Sequence, residues 1–215
     1  MNYPLAGTFI GVSPSESFTE LTNALKVAVA TLRDAQVPFL LGGSLATWAR
    51  GGPEPQNDLD LMVKPQDAEA ALQALADAGM RTERPPEEWL FKAWCGDVMI
   101  DIIFRPSGLE VDDAVIERAD VISVMAVSTP VMALEDVLVT MISALDEHTL
   151  DYTRLIAIAR SLREQIDWPR LWNRTSGSPY AKALAVLVQE LGIAPATPTA
   201  THPPTSRVRV LPSTR

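Results

Sequence analysis

The spacing of apolar residues predicts an α/β core in the first part of the chain. Five short apolar runs have the length of strands, at residues 37–41, 58–63, 89–94, 98–104 and 121–127. Apolar residues at helical spacing predict helices over about 17–36 and 66–78, and a short acidic helix is expected at 110–120. Strands interleaved with helices indicate the α/β class, in its α+β form where successive strands such as 89–94 and 98–104 pair directly.

From Pro130 onward the pattern is helical only. Two apolar stripes have helical spacing, namely Leu134, Val137, Leu138, Met141 and Leu145, then Leu155, Ile158, Leu162 and Ile166. Another helix is predicted from about Tyr180 to Leu191. The last residues are rich in Pro and Thr, cannot bury a core, and are expected to be disordered or to be ordered only by a partner. The predicted organisation is a core at 1–128, a helical C-terminal domain at 129–194 and a tail at 195–215.

Composition narrows the class of protein. The chain has 215 residues, of which 47% are hydrophobic and 21% charged, so it can form a substantial core. No apolar run approaches the roughly 20 residues needed to cross a bilayer, and no signal peptide is evident. A single cysteine, Cys95, excludes an internal disulfide framework and a zinc site built on cysteines. These features predict a cytoplasmic protein without a membrane partner.

The charge balance argues against general affinity for nucleic acid, because the net charge is -9. It does not exclude a local basic surface. Five arginines lie within one stretch of the helical part, Arg154, Arg160, Arg163, Arg170 and Arg174. They could contact phosphates or simply form a solvated, ion-paired helix face.

Asp58 and Asp60 are the first candidates for chemistry. They lie two residues apart in an apolar strand, so both side chains project from the same face. Paired carboxylates in such a strand repel each other and resist desolvation unless a cation compensates them. Hard oxygen ligands of this kind suit Mg²⁺, which is the predicted cofactor.

A third carboxylate and a glycine-rich turn extend this candidate site. Asp101 lies in another apolar strand, where an unpaired carboxylate would be costly, so three carboxylates are expected to converge on one or two metal ions. That arrangement suits in-line nucleotidyl transfer. Gly43 and Ser44 end the strand at 37–41 and open a helix, where backbone N–H groups and a hydroxyl can bind phosphate.

Together, Gly42-Gly43-Ser44, Asp58-Leu59-Asp60 and Asp101 resemble the nucleotidyltransferase superfamily with the DNA polymerase β-like core. The resemblance spans roughly residues 38–104. It implies a mixed, largely antiparallel sheet flanked by helices and an NTP as co-substrate. It further implies that Gly43 and Ser44 bind nucleotide phosphates, that Asp58, Asp60 and Asp101 bind Mg²⁺ and are catalytic, and that Asp101 activates the attacking hydroxyl.

The stretches 133–139 and 144–152 are similar to the AbiEii and MenT-type branch of that superfamily, which are toxins of toxin–antitoxin pairs. This resemblance implies that the protein adds nucleotides to RNA, at the 3′ acceptor end of tRNA, and thereby blocks translation. A cognate antitoxin protein would be a partner. Asp151 resembles a second carboxylate that is catalytic in that branch, although it could equally cap the following helix.

The same branch leads us to expect a triphosphate-binding lysine on the helix at 133–145. The aligned residue is Met141, whose place on the apolar stripe predicts packing. Lys92 could supply the missing charge as a nucleotide-binding residue. If Cys95-Gly96 is an even-length turn, Lys92 lies opposite Met99 and shares a face with Asp101.

Two alternatives remain open from the sequence. A nucleotidyltransferase of this fold could instead modify a small molecule or a protein, and the acidic run at 110–120 is compatible with a pocket for a cationic substrate. The absence of the expected lysine at Met141 also allows a catalytically silent binding protein that keeps the fold.

Overall fold

A computed structural model describes residues 16–55 and 58–195 of the chain. The Pro- and Thr-rich stretch that begins at residue 196 lies outside the described residues. Asn57, which directly precedes Asp58, lies outside them as well. Within the described ranges, no helix has the length and apolar character needed to span a membrane.

Seven strands form one mixed sheet in the described part of the chain. They are β1 (Phe39–Leu41), β2 (Asp58–Val63), β3 (Arg81–Glu83), β4 (Leu90–Cys95), β5 (Val98–Ile103), β6 (Asp120–Val124) and β7 (Val127–Val131). Their order across the sheet is β3-β4-β5-β2-β1-β7-β6. Only β2 with β5 and β1 with β7 pair in parallel, so the sheet is largely antiparallel, as predicted.

Helices flank this sheet and then form the rest of the chain. They are α1 (Glu16–Asp34), α2 (Gly43–Trp48), α3 (Ala68–Asp77), α4 (Asp113–Glu117), α5 (Leu134–Ser143), α6 (Thr153–Leu162), α7 (Trp168–Arg174) and α8 (Pro179–Glu190). The buried side chains form two apolar clusters. One joins α1, α2 and α3 to the sheet, and the other joins α5, α6, α7 and α8 to one another. The α/β fold class is therefore confirmed.

Three elements differ from the sequence-based expectation. The single strand predicted at 121–127 is the hairpin β6–β7, because the chain reverses at Met125 and Ala126 with φ of 50° and 63°. Such turns normally contain Gly or Asn, which tolerate positive φ, and neither residue is present here. Strand β3 and helix α7 were not predicted, since each is short and partly polar.

An ion triad centred on one buried carboxylate joins the two apolar clusters. Asp136 of α5 is fully buried, and its carboxylate pairs with Arg118 at 2.7 Å and with Arg174 at 2.6 Å. Arg118 follows α4 and Arg174 ends α7, so one carboxylate ties the sheet side of the molecule to the helical side. The division of the chain into domains at 128/129 stays a prediction, and β7 spans that position.

We expect Asp136→Asn to lower the free energy of unfolding by about 3 to 5 kcal/mol, because it leaves two partly buried guanidinium groups without a carboxylate. The matched control is Asp120→Asn, which removes a carboxylate that is 61% exposed and pairs with Arg50 at 2.9 Å. That change should cost less than about 1 kcal/mol. Urea denaturation measures both, and equal losses in the two variants would contradict a structural role for the triad.

Candidate active site

Strand pairing brings the three predicted carboxylates onto one face of the sheet. β2 and β5 run in parallel, and Asp60 lies directly opposite Asp101 in their register. Asp58 precedes Asp60 by two residues and therefore projects from the same face. All three residues are partly buried. The sheet thus places Asp58, Asp60 and Asp101 together.

The turn at Gly42, Gly43 and Ser44 is built around Asp60. Gly43 has φ of +52°, and a Cβ there would overlap the Asp60 carboxylate, lying 2.5 Å from its Cγ. The backbone N–H of Ser44 donates a hydrogen bond to that carboxylate, and the N–H of Gly42 donates to the Asp60 carbonyl at 2.8 Å. The Ser44 residue is only 4% exposed. The turn therefore holds Asp60 through its backbone.

Burial and mutual repulsion raise the pKa values of two of these carboxylates. Burial raises the pKa of Asp60 to about 7, and the charges of Asp58 and Asp101 add to the rise. Burial and the charge of Asp101 also raise the pKa of Asp58. The Oδ1 atom of Asp58 is buried without a hydrogen-bond partner. A site with this character favours binding of a cation.

Lys92 partly compensates this charge. It lies on β4 directly opposite Asp101, and its Nζ is 2.9 Å from Asp101 Oδ1. The predicted pairing of Lys92 with Met99 is wrong, because the hairpin turns at Gly96-Asp97, one residue later than expected. The loop is still of even length, so Lys92 shares a face with Asp101.

The donor set fits a hard divalent cation. Carboxylate oxygens are the ligands that Mg²⁺ prefers, and the unpartnered Oδ1 of Asp58 is a free acceptor beside Asp60. In the described ranges, no three His, Cys, Asp or Glu side chains are already gathered closely enough to hold a metal ion. The residues that would hold Mg²⁺ are Asp58, Asp60 and Asp101.

A cavity of about 580 Å³ opens beside Asp60. It lies between the site strands and α5, and its lining comprises Gly43, Asp60, Met62, Trp89, Ile103, Arg105, Pro106, Ser107, Thr140, Met141, Ala144, Asp146 and Thr149. Met141 packs against both apolar clusters, as predicted, and it also faces this cavity. Trp89 and Arg105 were not predicted as site residues. The only sequence feature that could have indicated them is their position, since they flank the strands that carry Lys92 and Asp101.

Helix α6 contributes to the electrostatics of the site. The positive charge of Arg154 offsets part of the rise in the pKa of Asp58 that burial and Asp101 cause, and Arg154 Nη2 donates to the carbonyl of Glu54 at 3.3 Å. Asp151, just before this helix, is exposed and accepts a hydrogen bond from the Thr153 N–H at 2.8 Å. Bonds from Thr153 lower the pKa of Asp151. Asp151 is not the N-cap of α6, which is Tyr152, and its bond to Thr153 is a local turn contact one residue earlier. A catalytic role for Asp151 stays a prediction.

The five clustered arginines do not form one free basic surface. Arg174 is paired with the buried Asp136, and Arg163 is paired with Glu164 at 3.1 Å. Arg154 reaches the aspartate site, as described above. Arg160 and Arg170 are exposed, on α6 and α7. The structure thus divides the cluster between internal contacts and solvent.

We expect Gly43→Ala to destabilise the protein by several kcal/mol and to displace Asp60, because a Cβ overlaps its carboxylate and φ is positive. Gly96→Ala is the matched control, since Gly96 has φ of +62° but a Cβ there meets nothing within 4 Å. The control should lose only about 1 kcal/mol. Denaturation midpoints compare them, and equal losses would mean that the contact with Asp60 carries no weight.

A second expectation follows from the raised pKa of Asp60. The folded chain keeps a proton on Asp60 up to about pH 7, whereas in the unfolded chain the group titrates near 3.8. The stabilisation from that proton is complete below pH 3.8 and is lost as the pH rises to 7. In metal-free buffer, Asp60→Asn should therefore gain stability over the wild type between pH 5 and pH 8, by on the order of 2 kcal/mol. Thermal melts across that range measure it, and Asp97→Asn, in the exposed hairpin turn, should show no such trend.

Comparisons with known proteins identify the family of this chain. A model of a family described as uncharacterised nucleotidyltransferases matches residues 21–197. No curated protein matches the chain.

Two solved structures show the same fold. The solution structure of the antibiotic-resistance factor ANT(2'')-Ia superposes with a TM-score of 0.55 at 13% identity, covering 81% of this chain and 98% of that one. A protein from H. pylori proposed to be a nucleotidyltransferase gives a TM-score of 0.51 at 16% identity, covering 83% of each chain. Because the family model spans most of the chain, this protein belongs to that family of nucleotidyltransferases and is an enzyme of nucleotidyl transfer.

Proposed function

We propose that this enzyme transfers a nucleotidyl group from an NTP to a hydroxyl group of its acceptor, with Mg²⁺ as cofactor. One observation carries the proposal: Asp60 and Asp101 face each other across parallel strands, with the Gly43 backbone against Asp60 and a cavity alongside. The cavity has the volume of a small-molecule site. Mg²⁺ would lower the pKa of the attacking hydroxyl and neutralise charge on the departing pyrophosphate.

The residues of the chain divide the remaining work. Asp58, Asp60 and Asp101 hold the cation, and Asp101 also accepts the proton of the attacking hydroxyl. Lys92, 2.9 Å from Asp101, fixes the orientation of that carboxylate. Gly43 lines the cavity and leaves room for phosphate oxygens, whereas Ser44 acts through its backbone bond to Asp60.

RNA is the first candidate acceptor, at the 3′ end of tRNA, in an enzyme that blocks translation and is neutralised by an antitoxin protein. Its support is the resemblance of residues 133–139 and 144–152 to the AbiEii and MenT-type toxins. The exposed Arg160 and Arg170 could contact the phosphates of an acceptor stem. In this case Asp151 would assist catalysis, as the same resemblance implies. In the sequence it lies between Asp101 and these arginines.

A small polycationic alcohol is the second candidate acceptor. Its support is the likeness in fold to ANT(2'')-Ia, an antibiotic-resistance factor, over 98% of that chain. The cavity also presents Asp146 in addition to Asp60, and the protein carries a net charge of -9. Carboxylates attract a cationic acceptor and repel RNA phosphates.

One assay tests the activity and separates the two acceptors. The protein is incubated with Mg²⁺ and each labelled NTP, either with total tRNA or with a panel of aminoglycosides. We expect label to enter one acceptor class only, and Asp101→Asn to lower the rate by at least about 100-fold, because it removes the proton acceptor. Asp97→Asn, in the exposed turn between β4 and β5, is the matched control and should react at the wild-type rate.

Transfer to tRNA with growth arrest on expression would support the toxin. Transfer to an aminoglycoside with resistance on expression would support the small-molecule enzyme. If no NTP is incorporated into either acceptor under conditions in which a known nucleotidyltransferase is active, both acceptor proposals are wrong.

A further inference from the structure

The cavity beside Asp60 must offer positive charge if it is to hold an NTP. A triphosphate brings several negative charges next to Asp60, and enzymes of phosphoryl and nucleotidyl transfer balance them with metal ions and basic side chains. The lysine expected on α5 is replaced by Met141, which lines the cavity. We propose that Arg105 binds the triphosphate in its place, an inference that rests on the proposed nucleotidyl transfer.

Arg105 is the single positively charged residue among the described residues that line the cavity. The other cations near the site are already engaged. Lys92 is paired with Asp101 at 2.9 Å, and Arg50 is paired with Asp120 at 2.9 Å and donates to the Met132 carbonyl. Arg154, which acts on Asp58, donates to the Glu54 carbonyl at 3.3 Å. None of these three residues lines the cavity. Arg105 is therefore the cation that an anion entering this cavity would meet.

The backbone at Arg105 is fixed, whereas its side chain is available. The N–H groups of Phe104 and Arg105 both donate to the Trp89 carbonyl, at 3.1 Å and 3.2 Å. The residue is exposed, its guanidinium makes one long bond of 3.4 Å to the Glu88 carbonyl, and it lies 5.7 Å from the Phe104 ring. In the described part of the chain, no carboxylate pairs with it. Its charge is thus not yet neutralised.

The loop that carries Arg105 is seated on the helix that carries Met141. Gly108 of this loop packs so closely on α5 that a Cβ would lie 2.5 Å from the Cβ of Ser143. Gly108 also has φ of +71°, which favours glycine. Arg105 and Met141 therefore border the same cavity on two elements that are held together. An arginine on the loop can therefore bind the phosphates that a lysine at position 141 of the helix would bind.

Guanidinium chemistry suits this role. Arginine stays protonated at any physiological pH and presents several N–H donors in one plane, so it can bind two phosphate oxygens at once. Charge-assisted hydrogen bonds of this kind are stronger than neutral ones. The weak bond to the Glu88 carbonyl would be exchanged for them when a triphosphate enters.

Calorimetry of nucleotide binding tests the inference without relying on turnover. The full chain is titrated with each of the four NTPs as non-hydrolysable Mg²⁺ complexes, and separately with Mg²⁺-tripolyphosphate, which carries no base. We expect Arg105→Ala to weaken binding of both by about tenfold to a hundredfold, and Arg105→Lys to weaken it less. Binding of a nucleoside monophosphate should change little. Arg84→Ala, which removes an exposed arginine paired with Glu69, is the matched control and should bind as the wild type does.

Introducing Met141→Lys into the Arg105→Ala variant is expected to restore at least part of the lost affinity. If it restores none, the idea that the two positions serve the same phosphates is wrong. If Arg105→Ala binds NTP and tripolyphosphate as tightly as the wild type, the inference is overturned while the proposed function stands. If the wild type binds none of the four NTPs, the proposed function fails and the inference fails with it.

Discussion

Two carboxylates face each other across a pair of parallel strands, and much of the surrounding structure accommodates their repulsion. Asp60 and Asp101 are held in register by the pairing of β2 with β5, and Asp58 adds a third negative charge on the same face. Partial burial makes the cost greater, as the raised pKa of Asp60 shows. A fold tolerates such an arrangement when a ligand or cation repays it, which is characteristic of catalytic sites.

Each neighbour of this pair contributes in a distinct way. The Gly43 backbone approaches the Asp60 carboxylate more closely than any side chain would permit, and the Ser44 N–H donates to it. Lys92 pairs with Asp101 directly, whereas Arg154, on the helical side of the molecule, offsets part of the rise in the pKa of Asp58 that burial and Asp101 cause. The compensation is incomplete, because Asp58 Oδ1 keeps no partner. The cation that we propose for this site would complete the compensation.

The helical part matters to the site because it supplies the opposite wall of the cavity. Helix α5 carries Met141 into that wall, and the buried Asp136 on the same helix is tied to Arg118 and Arg174. The triad fixes α5 relative to the sheet, and the contact of Gly108 with Ser143 fixes the loop of Arg105 relative to α5. The position of the Arg105 loop against α5 is thus set by packing, and α5 in turn is tied to the rest of the fold by the triad.

The sequence alone was enough to predict that three carboxylates share one face of the sheet. The strand period of two places Asp58 and Asp60 on one face wherever the strand lies, and a carboxylate amid apolar residues at Asp101 demands a partner. The local sequence pattern could not predict features that depend on strand register or on contacts between residues distant in the sequence. The register of β4 with β5 places Lys92 opposite Asp101 and not opposite Met99. The hairpin β6–β7 was not predicted, because its turn at Met125 and Ala126 contains neither Gly nor Asn. Nor could the sequence show which cations are available, because the availability of a charge depends on its neighbours in space. The folded chain pairs Arg174 with Asp136 and leaves Arg105 facing the cavity.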